Sequence, residues 1–241
     1  NLQKGMQTAL KYGGHVKVGY HSFGWGQISQ FPQIYNNLGF DFLIAAKHVS
    51  KKRAPEIEFL WESPDGSRII TSRLGQHSRA NFYFNGYIQL KHDVDYAGKD
   101  FRYIPGKNKG AIHNTDPLKQ NQDYFCYSDA DAKLYEKHIE IAMEKAWEAY
   151  KDTCVPEKRL ILDGSDFSSC QPLLPEIIKK TNDKVHDIEV KHSSLEEYVE
   201  SVIGDLKNKE LKVVRGELRD GSPADCTGNA LTTRMYLNIL N

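Results

Sequence analysis

Three short segments set reactive side chains where strands should end. In "KVGYHSFGWGQISQ" a strand-like run breaks at His21 and Ser22, with Phe23 and Trp25 set among Gly24 and Gly26. In "RLILDGSDFSS" an apolar run ends at Asp163, and Asp166 follows within the same loop. In "LKVVRGELRD" the run is followed by Arg215, Glu217 and Arg219. Parallel α/β proteins keep their sites where strands end, and all such ends face one way. The three segments are therefore expected to converge on one cleft. Two carboxylates in a cleft rich in aromatics form the constellation that cleaves glycosidic bonds. One protonates the leaving oxygen and the other attacks or activates water, at about 5–5.5 Å separation in retaining enzymes.

Plainer roles compete at each position. An aspartate after a strand also caps the next helix, which would account for Asp163 or Asp166. Glu217 has Arg215 and Arg219 within pairing distance along the chain, so an ion pair competes with substrate contact. Phe23 and Trp25 beside glycines also suit loop packing. "VHDIEV" and "HDVD" suggest metal pairs, but strand alternation sends His186 and Asp187 to opposite faces. No phosphate-cradling glycine loop, GxSxG elbow or HExxH helix occurs.

The elements that must position these residues follow an α/β rhythm. A short helix over residues 2–11 stops at Gly13-Gly14. A strand over 15–19 leads into the His21 loop, and residues 32–37 read as a helix. "FDFLIAA" (40–46) is a continuous apolar run, the signature of a buried strand. "EIEFLWESPDGSRIITSRL" reads as a hairpin turning at Pro64-Asp65-Gly66-Ser67. Residues 75–127, rich in Tyr, Phe, Gly and Asn, form a long excursion without clear periodicity. Ser128 and Asp131 have capping-box spacing and open a helix to Tyr150, with Leu134, Ile139, Ala142, Met143, Ala146 and Tyr150 as its apolar stripe. Beyond it, "RLILD", "VHDIEVKH" and "LKVVRGEL" read as strands, separated by helices "LLPEIIKKTN" and "SLEEYVESVIGDL". Such alternation predicts a parallel sheet, open or closed into a barrel, within one domain spanning 1–241.

Bulk properties exclude other classes. The chain has 241 residues with 32 basic and 32 acidic side chains, a balance that argues against a nucleic-acid partner. No apolar run is long enough to span a membrane. Cys126, Cys154, Cys170 and Cys226 are widely spaced without CxxC, as expected of reduced thiols in the cytoplasm. The chain opens and closes within helical patterns, as expected of a piece of a longer polypeptide.

The succession "GYHSFGWGQISQFPQIYNNLGFD", "EFLWESPDGSRII", "LILDGSDF", "VVRGEL" and "TTRMYL" resembles the α-mannosidases of glycoside hydrolase family 38. The resemblance implies a seven-stranded β/α barrel, of which this chain is the middle and end. It also implies a zinc-assisted retaining mechanism on α-linked mannose or a related sugar. By position it makes Asp166 the acid/base and Asp163 its companion carboxylate, and it sets Phe23 against the sugar. Trp25, Glu217 and Arg234 are expected at the substrate, and the rest of the polypeptide as partner. The departure is His21, which stands where the family usually has an aspartate serving as nucleophile and zinc ligand. An imidazole ligates zinc, but it does not replace a carboxylate that must form a glycosyl ester. The alternative is a non-catalytic, sugar-binding or structural barrel.

Overall fold

The computed structural model describes residues 1–21, 27–87, 89–90, 133–164 and 173–220. They fall into two compact units, residues 1–74, 152–155 and 194–241, and residues 75–151 and 156–193. The strands are β1 (Val18–His21), β2 (Phe42–Ala45), β3 (Glu58–Glu62), β4 (Arg68–Ser72) and β5 (Val213–Arg215). The α-helices are α1 (Leu2–Leu10), α2 (Phe31–Asn37), α3 (Ile139–Glu148), α4 (Leu174–Lys184) and α5 (Leu195–Lys207). Among the described residues no helix is long and apolar enough to cross a membrane.

The first unit holds a five-stranded sheet in the order β1-β2-β4-β3-β5. β2 is buried along its whole length, which is why its sequence does not alternate: neither face of the strand meets water. β1 and β4 run parallel to it on either side. α2 carries proline in its first turn, where a missing N–H costs nothing. α5 starts at Ser194, whose hydroxyl accepts the Glu197 N–H at 3.1 Å. Tyr35 on α2 joins Phe40, Leu43, Phe59, Trp61 and Val214 in the core. The fit is close: a Cβ at Gly19 would lie 2.3 Å from Leu43 Cδ2 and 2.8 Å from Tyr35 Cε1.

β3 and β4 form the expected hairpin. Asp65 accepts the Ser67 N–H at 3.0 Å and its hydroxyl at 2.8 Å, and Gly66 takes φ +86°. So short a loop joins only antiparallel strands, and β3 runs against β4. β5 then pairs parallel to β3, and so runs against β1, β2 and β4. This corrects the all-parallel sheet. Arg215 at the end of β5 lies level with Glu62, which faces the start of β4 at Arg68. His21 ends β1 beside Ala45, the end of β2. Five strands are described, against the seven that the resemblance implies.

Two buried or half-buried acids fasten this sheet. Glu62 binds Arg68 Nε at 2.5 Å from one neighbouring strand and Arg215 from the other. Those hydrogen bonds, Arg215's first, hold its pKa below the usual carboxylate range. Glu58 is fully buried and accepts the Cys154 N–H at 2.7 Å and the Thr153 hydroxyl at 2.9 Å. Burial pushes its pKa up against those bonds. Cys154 is a buried free thiol, in keeping with its spacing, and burial raises its pKa to about 12. Cys126, Cys170 and Cys226 lie outside the described residues.

The second unit departs more from the sequence reading. The stripe of α3 is buried as expected at Ile139, Ala142, Met143 and Ala146, but the helix begins late. A 3-10 turn over Glu136–His138 precedes it, and residues 133–135 are not helical. The proposed cap at Ser128 lies outside the described residues, as do 91–127 of the excursion. Its described part is not irregular: a 3-10 turn over Ser78–Ala80 leads into a π-helix over Tyr83–Tyr87. Phe82, Tyr83, Tyr87 and Leu90 are core residues there. Tyr83, Tyr87 and Leu90 stand at i, i+4 and i+7, a helical spacing that the sequence reading of this stretch passed over.

"RLILD" and "VHDIEV" do not pair as strands among the described residues. Side-chain amides satisfy part of their backbone instead. Asn81 Oδ1 accepts the Leu162 N–H at 2.8 Å, and the Phe82 N–H donates to Leu162 O at 3.2 Å. Asn182 brackets Val190 through two bonds of 2.8 Å.

The fit at residue 19 gives a direct test. Gly19→Ala is expected to cost about 1–3 kcal/mol by overpacking, measured by urea denaturation. Gly5→Ala in α1, where a Cβ meets nothing within 4 Å, is expected to gain up to about 1 kcal/mol.

Candidate functional site

In the first unit the site begins with His21. Its Nε2 lies 2.8 Å from the Tyr35 hydroxyl, and its ring stacks on Phe31 with centroids 4.5 Å apart. Burial raises the Tyr35 pKa, so that hydroxyl stays protonated. With Tyr35 donating, the imidazole carries its own proton on Nδ1. Burial also lowers the His21 pKa to about 4. The side chain is thus a neutral imidazole with one nitrogen engaged.

The chain around this corner is tied by Gln27, which is buried. Its amide donates to Lys47 O at 3.0 Å and to Leu218 O at 2.9 Å, and its backbone O accepts the Leu218 N–H. One side chain therefore joins the loop after β1, the loop after β2 and the segment after β5. Next to Lys47, His48 is buried and held at φ +61°, a left-handed conformation costly for a residue with a Cβ. Its carbonyl accepts the Asp220 N–H. Asp220 in turn accepts from the Ser50 N–H and hydroxyl and pairs with Arg53 at 2.9 Å. The half-exposed Glu217 carboxylate pairs with Arg219 Nε at 2.6 Å.

In the second unit Asp163 follows the segment anchored by Asn81. It has one side open to solvent, and the protein packed behind it pushes its pKa up to about 6. A hydrogen bond from the Gly164 N–H and the nearby His192 oppose that rise. The buried Tyr87 is close enough for the Asp163 charge to push the tyrosine pKa up further.

His21 and Glu217 belong to the first unit and Asp163 to the second. Phe23, Trp25, Asp166 and Arg234 lie outside the described residues. Sequence reasoning passed over Gln27, Tyr35, His48 and Tyr87. Only Gln27 had a local signal, standing one residue past the glycine-rich break. The one zinc ligand expected from the sequence is His21. Tyr35 occupies one nitrogen of His21, and among the described residues no three His, Cys, Asp or Glu side chains converge on a metal position.

A mixed sheet with helices, carrying polar residues at strand ends, defines an α/β protein of the kind that hosts enzyme sites. Residues 5–217 match the family described as Glycosyl hydrolases family 38 N-terminal domain, and the chain belongs to that family. It is 22% identical over 255 residues to a putative mannosylglycerate hydrolase of Halalkalibacterium halodurans, a match covering 100% of this chain and 23% of that protein. Among solved structures it resembles an alpha-mannosidase from Enterococcus faecalis V583, at TM-score 0.57 and 18% identity, over 90% of this chain and 19% of that one. The chain thus spans about a quarter or less of the relatives it matches.

The two shifted groups give opposite pH dependences. His21 has a folded pKa of about 4, below its unfolded value of 6.5. Its stabilising contribution is present above pH 6.5 and is lost as pH falls toward 4, by up to about 3 kcal/mol. In His21→Gln that slope should shrink by one group, as read from denaturation at several pH values. Asp163 should titrate near pH 6 by carboxyl NMR. Because its folded pKa is raised, its stabilising contribution is present below the unfolded value and is lost as pH rises through 6.

Proposed function

We propose that this chain is part of a glycoside hydrolase acting on α-linked mannose or a related sugar, within a seven-stranded β/α barrel completed by the rest of its polypeptide. The observation that carries this reading is the family match across residues 5–217. The names of the two relatives indicate the class of sugar. Asp166 protonates the leaving oxygen, with Asp163 as its companion. A carboxyl whose pKa is raised to about 6 suits proton exchange near neutral pH. Phe23 packs on the sugar ring, and Trp25, Glu217 and Arg234 contact the substrate. Zinc in this reading needs ligands beyond His21. Where bound, it supplies charge stabilisation to the substrate oxygens. The cysteine spacing supports the cytoplasm as the compartment.

His21 favours a second reading. A retaining enzyme forms a glycosyl ester on a carboxylate, and a neutral imidazole bonded to Tyr35 and stacked on Phe31 does not provide one. On this reading the barrel binds sugar without turnover. Kinetics on the full-length protein separate the two. If it is a hydrolase, Asp166→Asn should cut turnover of unactivated mannosides by about 10²–10⁴-fold. Dinitrophenyl mannosides, whose leaving group needs no proton, should suffer far less. Equal loss on both substrates would remove Asp166 from the acid role. Saturable mannoside binding without turnover of either substrate would establish the second reading.

A further inference from the structure

At the end of the sheet where β4 begins, away from His21, the first unit has a pocket of about 260 Å³. Leu60 and Leu211 contribute to its apolar floor, and Arg68, Lys207, Lys209 and Asp41 to its rim. Three cations therefore face one carboxylate. Arg68 is oriented rather than neutralised: Glu62 takes its Nε at 2.5 Å, but shares its charge with Arg215. The rest of the half-exposed guanidinium is left for another acceptor. Lys207 and Lys209 are exposed and make no ion pair with any described residue. They stand at the C-terminal end of α5, where free carbonyls would repel an anion. There the Leu206 carbonyl already accepts the Asn208 and Lys209 N–H groups.

We propose that this pocket binds a phosphate monoester. A planar guanidinium held at Nε by a carboxylate, with two ammonium groups lining the same pocket, suits a tetrahedral oxyanion. The apolar floor takes the small organic group that the phosphate carries. The site lies at the opposite end of the parallel strands from His21 and is independent of the sugar chemistry proposed above.

The test is calorimetric titration of inorganic phosphate and methyl phosphate into the full chain at constant ionic strength. One saturable site is expected, weakened about tenfold or more in Lys207→Gln/Lys209→Gln. A control pair on the exposed α1, Lys4→Gln/Lys11→Gln, removes the same charge and should bind as the parent does. Circular dichroism should show both pairs folded, since all four lysines are exposed. Acetate binding as tightly as methyl phosphate would overturn the phosphate assignment. No saturation below about 10 mM, or equal weakening in both pairs, would show an adventitious ion only.

Discussion

Tyr35 reaches His21 only because residue 19 has no side chain. The tyrosine ring and the Leu43 methyl occupy the space where a Cβ on β1 would sit. From there the hydroxyl meets His21 Nε2 and the ring meets Phe40 edge-on at 5.1 Å. Phe31, one helical turn earlier, covers the face of the imidazole. The packing of α2 on β1 and β2 therefore sets the protonation state of the residue that ends β1. A larger residue at position 19 would move α2 outward, lift both aromatics from His21 and return the imidazole toward water and its ordinary pKa. Fold and site chemistry are coupled through one absent methyl group.

A second constraint comes from the hairpin. Its short turn reverses the chain, and β5 inherits the reversed direction by pairing with β3. Left to itself, the segment after β5 would continue away from the ends of β1 and β2. Hydrogen bonds bring it back: Trp61 Nε1 holds Gly216 O at 2.9 Å, Gln27 holds Leu218, and His48 and Ser50 hold Asp220. Gly216 turns at φ +82°, a conformation glycine adopts without strain. The strained backbone at His48 is maintained by the same set of bonds. The polar residues after β5 thus reach the neighbourhood of the β1 loop through side-chain ties rather than through parallel topology.

Much of the first unit could be read from the sequence, because its signals are local. The apolar run of β2, the turn at Pro64–Ser67 and the Ser194 cap each depend on residues a few positions apart. The hairpin was also enough to rule out a wholly parallel sheet, since no short loop joins parallel neighbours. The second unit was less legible. Its core uses a π turn, and its extended segments bond to Asn81 and Asn182 instead of to a strand. Tyr83, Tyr87 and Leu90 did carry a helical spacing, while the asparagine ties have no pattern in binary hydrophobicity. At the candidate site the difficulty was long range. His21 was visible as an odd residue at a strand end, but Tyr35 stands 14 residues away on another element. Glu217 was given two readings, and the Arg219 partner of the first was legible two residues along the chain.

The two titratable groups, one in each unit, take opposite parts toward protons. His21 prefers the neutral state down to about pH 4, and Asp163 retains its proton up to about pH 6. Near neutral pH the histidine has no proton to exchange with a sugar oxygen at Nε2, where it already accepts one from Tyr35. It also carries no negative charge to stabilise an oxocarbenium-like centre. Asp163 keeps an appreciable protonated fraction and has open surface on one side. Burial acts on both groups with the same physics, disfavouring the charged form of each. For the base this removes reactivity, and for the acid it preserves a proton donor. Asp163 therefore has the titration range of a proton donor, and the His21 corner that of a neutral group packed among aromatics.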